Sequence, residues 1–287
     1  MRNKNRETAI LLISCDDQPG LVAEVSYFVS TYKGNIVSSD QHNDSSGAFF
    51  MRVQWDMADF TIPAEKIGAA FEPIAEKYNM DWKLKFSHIQ PRIAIMVSKY
   101  DHALFELLQR NKSGELPGEI VHIVGNHKDT ESIAEYFDIP FSHIPITKAT
   151  KAEMEKKEMD LFDSLEVDLI ILARYMQILS ADFVDHYPQK IINIHHSFLP
   201  AFIGAKPYHQ AFERGVKIIG ATSHYVTSDL DQGPIIAQGI THISHRDSVE
   251  DLIRKGRALE KNVLARGVEL HLNHQVLVFG NKTVVFD

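Results

Sequence analysis

The sequence predicts an α/β protein of two units: a ferredoxin-like βαββαβ unit over residues 1–90 and a doubly wound, Rossmann-like unit over residues 91–287. Three observations predict it. The chain has 287 residues, enough for about two domains at ~150 residues each. Strand and helix signals run β-α-β-β-α-β up to residue 90. Beyond it the pattern becomes β-α-β-α, with the nearly continuous apolar strands that parallel sheets bury on both faces.

Residues 9–14 read as a buried strand, and Asp16-Asp17-Gln18-Pro19-Gly20 as the turn that ends it. Pro19 lacks an N–H and suits a first helical turn. Leu21, Val25 and Phe28 then recur at helical spacing until Gly34. Two β-rich runs, 35–41 and 48–55, flank a hairpin turn at Ser45-Ser46-Gly47. A helix over 63–78 gathers Ile67, Ala70, Phe71 and Ile74 on one face, and a strand over 82–86 completes the unit. Ser87-His88-Ile89-Gln90-Pro91 reads as a linker. In the second unit, strands are expected at 92–97, 119–124, 167–173 and 190–194, with helices between them at 102–110 and 151–165. Strands at 218–226 and 235–243 follow. Ser248-Val249-Glu250-Asp251 opens a helix to Leu272. A closing hairpin, 276–279 with 283–286, turns at Gly280-Asn281.

Composition narrows the function. Thirty Lys and Arg against 38 Asp and Glu give a net charge of 30 − 38 = −8, which repels phosphate and argues against nucleic-acid binding. The single Cys15 cannot form an internal disulfide or build a cysteine metal site. It follows an apolar run and reads as a buried structural thiol. The apolar run over 9–13 is shorter than a signal-peptide core of ~7–15 residues. No run approaches the ~18 apolar residues of a membrane span. A soluble, cytoplasmic protein without a membrane partner is expected.

The densest chemical cluster is Ile191-Ile192-Asn193-Ile194-His195-His196-Ser197-Phe198-Leu199-Pro200, an apolar strand ending in polar residues. Ligands of open α/β sheets bind beyond the carboxyl ends of the strands. Alternation puts Asn193 and His195 on one side and His196 on the other. An amide donor and an imidazole together can polarise a carbonyl and hold an oxyanion. The same residues also suit a strand end that merely caps a loop, and spacing alone leaves both readings open. A second cluster, Thr227-Ser228-Asp229-Leu230-Asp231-Gln232-Gly233-Pro234, carries two carboxylates. One of them can orient a histidine or hold a water, but acidic Gly/Pro turns are common. Despite 15 histidines there is no H-E-x-x-H or comparable spacing, so no catalytic metal is expected. The nucleophile elbow G-x-S-x-G is absent, and Ser197 is not assigned as a nucleophile. The first strand of the second unit ends in Ser98-Lys99-Tyr100-Asp101-His102, with no glycine to let backbone approach a phosphate. Nicotinamide dinucleotides and nucleotide kinase chemistry lose support.

Together these residues carry a resemblance. Ile192-Asn193-Ile194-His195 with Ser197 and Leu199-Pro200, then Phe202, Gly204 and Asp231-x-Gly233, resembles the signature of the folate-dependent formyltransferase fold. The resemblance spans residues 92–285. It implies that Asn193, His195 and Asp231 form the catalytic set at a formyl group. It also implies that the loop over 172–179, with Met176, Ile178 and Leu179, grips a pterin ring by its backbone. Thr227, Ser228 and Asp229 are assigned to substrate contact. The first unit resembles an ACT domain at Asp17-Gln18-Pro19-Gly20-Leu21-Val22. That resemblance implies an amino-acid effector, glycine or methionine, held by Asp17, Gly20, Leu21 and Val22 between subunits of a homo-oligomer.

An ACT module ahead of this fold is the layout of the hydrolytic branch of the family. The implied reaction converts 10-formyltetrahydrofolate to tetrahydrofolate and formate, within one-carbon metabolism and purine biosynthesis. The folate is the substrate, and no cofactor is expected. Glycinamide ribonucleotide formyltransferases carry a Gly-rich phosphate loop where this chain has Ser98-Lys99-Tyr100-Asp101, and the difference favours water as acceptor. Methionyl-tRNA formyltransferases add a C-terminal RNA-binding domain, for which the remaining chain is too short and too acidic. Formyl transfer to an amine, and a non-catalytic folate- or amino-acid-binding regulator, stand as the alternatives.

Overall fold

The computed structural model describes residues 7–199 and 207–287. Pro200, Phe202 and Gly204 of the formyltransferase-like signature lie outside the described residues. The chain forms two compact units. One gathers the chain up to Gln90 with residues 273–279 and 284–287, and the other takes residues 91–272 and 280–283.

The first unit runs β1 (Thr8–Asp16), α1 (Leu21–Thr31), β2 (Asn35–Asn43), β3 (Ala48–Asp56), α2 (Ala64–Lys77) and β4 (Asp81–Phe86). Its four strands pair antiparallel in the order β2-β3-β1-β4. The central strands β1 and β3 are buried along most of their length on both faces, whereas the edge strands β2 and β4 expose every second residue or more. Leu11, Ile13, Met51 and Val53 pack with Val25, Phe28, Ile67 and Phe71 of the two helices. α1 starts at Leu21 after Gly20 at φ 98°, so Pro19 precedes the cap instead of lying within the first turn. Cys15 is half-buried against this core, less enclosed than the expected structural thiol, and burial raises its pKa.

The other face of that sheet explains why most of residues 273–287 group with this unit and not with the second, where the sequence reading put them. Leu12, Ala48 and Phe50 point away from the helices. They are buried by Leu277 of β12 (Val276–Phe279) and Phe286, just beyond β13 (Lys282–Val285). Each such side chain contributes about 1.5–3 kcal/mol on burial, so an apolar second face recruits a cover from far along the chain. Arg52, buried on β3, donates from Nε to the His274 carbonyl at 2.8 Å.

The second unit carries β5 (Arg92–Val97), α3 (His102–Lys112), β6 (Glu119–Gly125), α4 (Glu131–Tyr136), β7 (Phe141–His143), α5 (Lys151–Ser164), β8 (Leu169–Ala173), α6 (Ala181–His186), β9 (Ile191–His195), α7 (Pro207–Arg214), β10 (Ile218–Tyr225), β11 (Ile235–His242) and α8 (Val249–Leu272). The sheet order is β11-β10-β9-β8-β5-β6-β7. β5 to β9 are parallel, and β10 pairs antiparallel with both β9 and β11. The sheet is thus a doubly wound parallel core with an antiparallel edge. The chain order reverses between β5 and β8, which places a crevice at their carboxyl ends. α4, β7, α6 and α7 had no counterpart in the sequence reading, because three to eight residues are too few to show a period.

Candidate active site

Two loops and two strand ends build the site. β9 delivers Asn193 and His195, and its antiparallel neighbour β10 sets His224 opposite Asn193. Asn193 Nδ2 lies 3.2 Å from His224 Nε2, and His224 Nδ1 lies 2.9 Å from the Tyr225 carbonyl. A carbonyl only accepts, so Nδ1 of His224 carries the hydrogen and Nε2 accepts from Asn193. Burial pushes the His224 pKa down, favouring that neutral ring.

Asp231 completes the set. Its Oδ2 lies 3.2 Å from His195 Nδ1 and its Oδ1 lies 3.9 Å from His224 Nε2. The His195 hydrogen bond holds the Asp231 carboxyl below its ordinary pKa, against the opposing effect of burial. Asp231 adopts φ 55°, a left-handed conformation unusual for a non-glycine residue. The following Gly233 packs so closely on β10 that a Cβ would stand 1.8 Å from the Tyr225 carbonyl oxygen. That contact is the physical reason for glycine two positions after the aspartate. With Nδ1 taken by Asp231, the buried Nε2 of His195 has no partner among the described residues. This is the arrangement of a proton carrier awaiting a substrate.

The loop after β8 forms the other wall. Arg174 and Met176 have φ of 63° and 59°, and the surroundings fix this strained path. The buried Tyr175 donates from its hydroxyl to Glu158 Oε1 at 2.7 Å, and its carbonyl accepts from Ser98 Oγ and from Asn126 Nδ2. Ser180 N donates to Glu155 Oε1 at 3.0 Å and so ties down the far end of the loop. Burial, reinforced by Glu155, pushes the Glu158 carboxyl up to about 7, although the Tyr175 hydroxyl partly offsets it.

Between these walls lies an open pocket with about 480 Å³ of empty space. Met176, Ile178, Leu179, Thr227, Ser228, Asn193 and Asp231 all line it. Met176 and Ile178 are exposed, an unsatisfied apolar surface at the pocket mouth. Asp229 is a correction: it is exposed and does not line the pocket, and its carbonyl accepts from Thr227 Oγ1 within the turn. His195 adjoins the pocket through Asp231. His196 is a second correction. β9 ends at His195 and the chain bends there, so the two rings lie 5.2 Å apart instead of on opposite faces. His224, Val226 and Leu230 line the site without having been singled out from the sequence. Only the pairing of β10 with β9 reveals His224.

In the first unit, Asp17, Gly20, Leu21 and Val22 share a shallow groove with Gln41 and Asn43 at the start of α1, and no side chain caps that helix end. Among the described residues no group of three or more His, Cys, Asp or Glu is placed to hold a metal ion. No described helix is long and apolar enough to cross a membrane.

Comparison with known proteins places this geometry in context. Residues 91–268 match the formyl transferase family. Formyltetrahydrofolate deformylase of Synechocystis sp. is 53% identical over 97% of this chain and 98% of its own length. The Bacillus subtilis protein of the same name is 48% identical over 100% and 96%. The crystal structure of a formyltetrahydrofolate deformylase from Pseudomonas syringae superposes with a TM-score of 0.97 at 45% identity, covering 100% of this chain and 96% of that one.

Proposed function

The chain belongs to the formyltetrahydrofolate deformylase family, and from that premise we propose that it hydrolyses 10-formyltetrahydrofolate to tetrahydrofolate and formate. One observation carries the reading at the level of chemistry. Asp231 and Asn193 line a pocket, and Asp231 holds His195 by Nδ1 with its Nε2 free of other partners among the described residues. In this reading the pterin lies along the backbone of the loop at Met176 to Leu179, with Thr227 and Ser228 across from it.

Asn193 Nδ2 keeps one N–H for His224 and offers the other to the formyl oxygen. Water attacks the formyl carbon, and its proton passes to the Asp231–His195 pair. The oxyanion is held by Asn193 and by the His195 Nε2–H. The C–N10 bond then breaks, N10 takes the proton from His195, and the formic acid formed leaves as formate after losing its remaining hydroxyl proton to solvent. Donors fixed before reaction stabilise the developing charge without reorganising, the largest single contribution in many such sites.

The βαββαβ unit is proposed to be an ACT-type regulatory domain. Its groove at Asp17, Gly20, Leu21 and Val22 would take glycine or methionine between subunits of a homo-oligomer. A helix start without a side-chain cap supports a carboxylate there. The reaction would serve one-carbon metabolism and purine biosynthesis in the cytoplasm by returning tetrahydrofolate. The test is incubation of the purified chain with 10-formyltetrahydrofolate and no added acceptor. Formate and tetrahydrofolate should accumulate together. Absence of both would sink the proposal.

A further inference from the structure

A second polar cluster in the catalytic unit takes no part in the steps above. Glu260 of α8 is 1% exposed, yet its carboxylate is fully engaged. Oε1 accepts from the Tyr208 hydroxyl, and Oε2 lies 2.9 Å from His102 Nε2 and 3.5 Å from Arg174 Nε. Burial alone would raise this carboxyl, but His102, Arg174 and Tyr208 together hold it below its ordinary pKa, so it is ionised inside the protein. A buried ion pair of this kind costs desolvation that only good geometry offsets, so it is weak grounds for a stabilising role.

The sequence is shaped around the cluster. Gly256 sits inside α8, one turn before Glu260, where glycine costs about 1 kcal/mol relative to alanine. A Cβ there would stand 2.1 Å from the Tyr208 hydroxyl. The glycine therefore admits Tyr208 to the helix surface, where it reaches Glu260. Tyr100 is packed alongside by cations, with the Arg174 and Arg257 guanidinium carbons 5.5 and 5.1 Å from its ring centre.

The cluster also adjoins the reacting centre. The Tyr208 ring lies 6.2 Å from His196, which lies 5.2 Å from His195. Tyr100, His102, Arg174, Tyr208 and Glu260 are absent from the lining of the folate pocket. Tyr100 and His102 follow the carboxyl end of β5, Arg174 follows that of β8, and Tyr208 of α7 and Glu260 of α8 pack onto them, with Tyr208 beside His196. Through Tyr208 and His196 the cluster reaches His195 from outside the lining of the folate pocket.

We propose that the network of Glu260, Tyr208, His102 and Arg174 fills the acceptor side of the site and thereby determines that water, and not an amine, takes the formyl group. The inference rests on the hydrolase reading. Water is small enough to need no pocket of its own, whereas an amine must displace part of a network in which the Glu260 carboxylate already accepts from Tyr208 and pairs with His102. If the side is opened, an amine nitrogen bonds the formyl carbon and the C–N10 bond breaks. The amine then loses one proton to the Asp231–His195 pair, and N10 gains one from it.

The test uses glycinamide as a small amine probe with 10-formyltetrahydrofolate, quantifying formylglycinamide and formate together. The full-length chain should give formate alone. Tyr208→Ala, which empties the side, should raise the ratio of formylglycinamide to formate by about tenfold or more, within the range that pocket contacts discriminate. Gly256→Ala should do the same by pushing Tyr208 aside with no side chain deleted, and His102→Ala gives a third opening should either variant fold poorly. Tyr208→Phe keeps the ring and should retain formate as the product. A folded Tyr208→Ala, Gly256→Ala or His102→Ala variant that still hydrolyses, with its product ratio unchanged at saturating glycinamide, overturns the proposal. Failure of the unsubstituted chain to release formate would instead overturn the hydrolase reading, so the two failures are distinguishable.

Discussion

Asp231 is where the proposed chemistry meets the geometry most closely. It binds His195 through one carboxylate oxygen and approaches His224 with the other, in a left-handed backbone conformation two residues before Gly233, which packs on the Tyr225 carbonyl. Asp231→Asn retains the size and one acceptor but loses the charge. Loss of a catalytic proton path costs about 10²–10⁴-fold in rate, so the variant should fold normally, bind folate and turn over at that reduced level. Circular dichroism with a formate assay checks both halves, and near-normal turnover would remove Asp231 from the mechanism. Asn193 and His195 stand out in the sequence as polar residues at the end of an apolar strand, whereas Asp231 is separated from Asp229 only by the resemblance to the formyltransferase signature. His224 was not legible there, because its role depends on the antiparallel pairing of β10 with β9. Glu260, Tyr208 and His102 were not legible either, since they lie far apart in sequence and meet only in three dimensions.

At the scale of elements, the loop after β8 is the one whose path matters more than its side chains. Met176 and Ile178 are exposed at its surface, while Tyr175 and Ser180 anchor its ends. Ile178→Pro removes one N–H and fixes φ, so folate affinity measured by equilibrium binding should fall below detection in a folded protein. Unchanged affinity would show that the backbone there does not hold the pterin. Beneath the loop, Glu158 gives a pH signature. Its carboxyl rises from 4.5 to about 7 in the fold, and that difference is worth about 3 kcal/mol. The folded state prefers the protonated acid. This contribution is therefore fully present below about pH 4.5 and is lost as pH rises through about 7. Glu158→Gln should remove that fall, seen as a denaturation midpoint less sensitive to pH between 5 and 8. A variant with the same slope as the parent would contradict the assignment. The long strands and α8 were legible from apolar periodicity. The short α6 was not, although Ser180, accepting from Phe183 N, is its one local signal.

For the whole molecule, the closing hairpin limits how the units can be tested. Leu277 and Phe286 cover Leu12 and Phe50, so a chain lacking residues 1–90 would expose that apolar surface. The sequence showed the hairpin but not its partner, because an apolar strand does not reveal what packs on it. A point change in the groove is the cleaner test of regulation. Val22→Arg places a large cation where Asp17, Gly20 and Leu21 converge. It should abolish any response of turnover to glycine or methionine while leaving the basal rate intact, since a ligand acts only through differential affinity for two states. A parent protein that ignores both amino acids at millimolar concentration would refute this role without touching the catalytic assignment.

The central claim is that water takes the formyl group in a site organised by Asp231 and His195. The most direct measurement is a product balance with 10-formyltetrahydrofolate in the presence of saturating glycinamide ribonucleotide. The account predicts one formate for each tetrahydrofolate, at the same rate with or without the amine, and near-silence from Asp231→Asn. Formylated glycinamide ribonucleotide as the main product, with formate only minor, would contradict it.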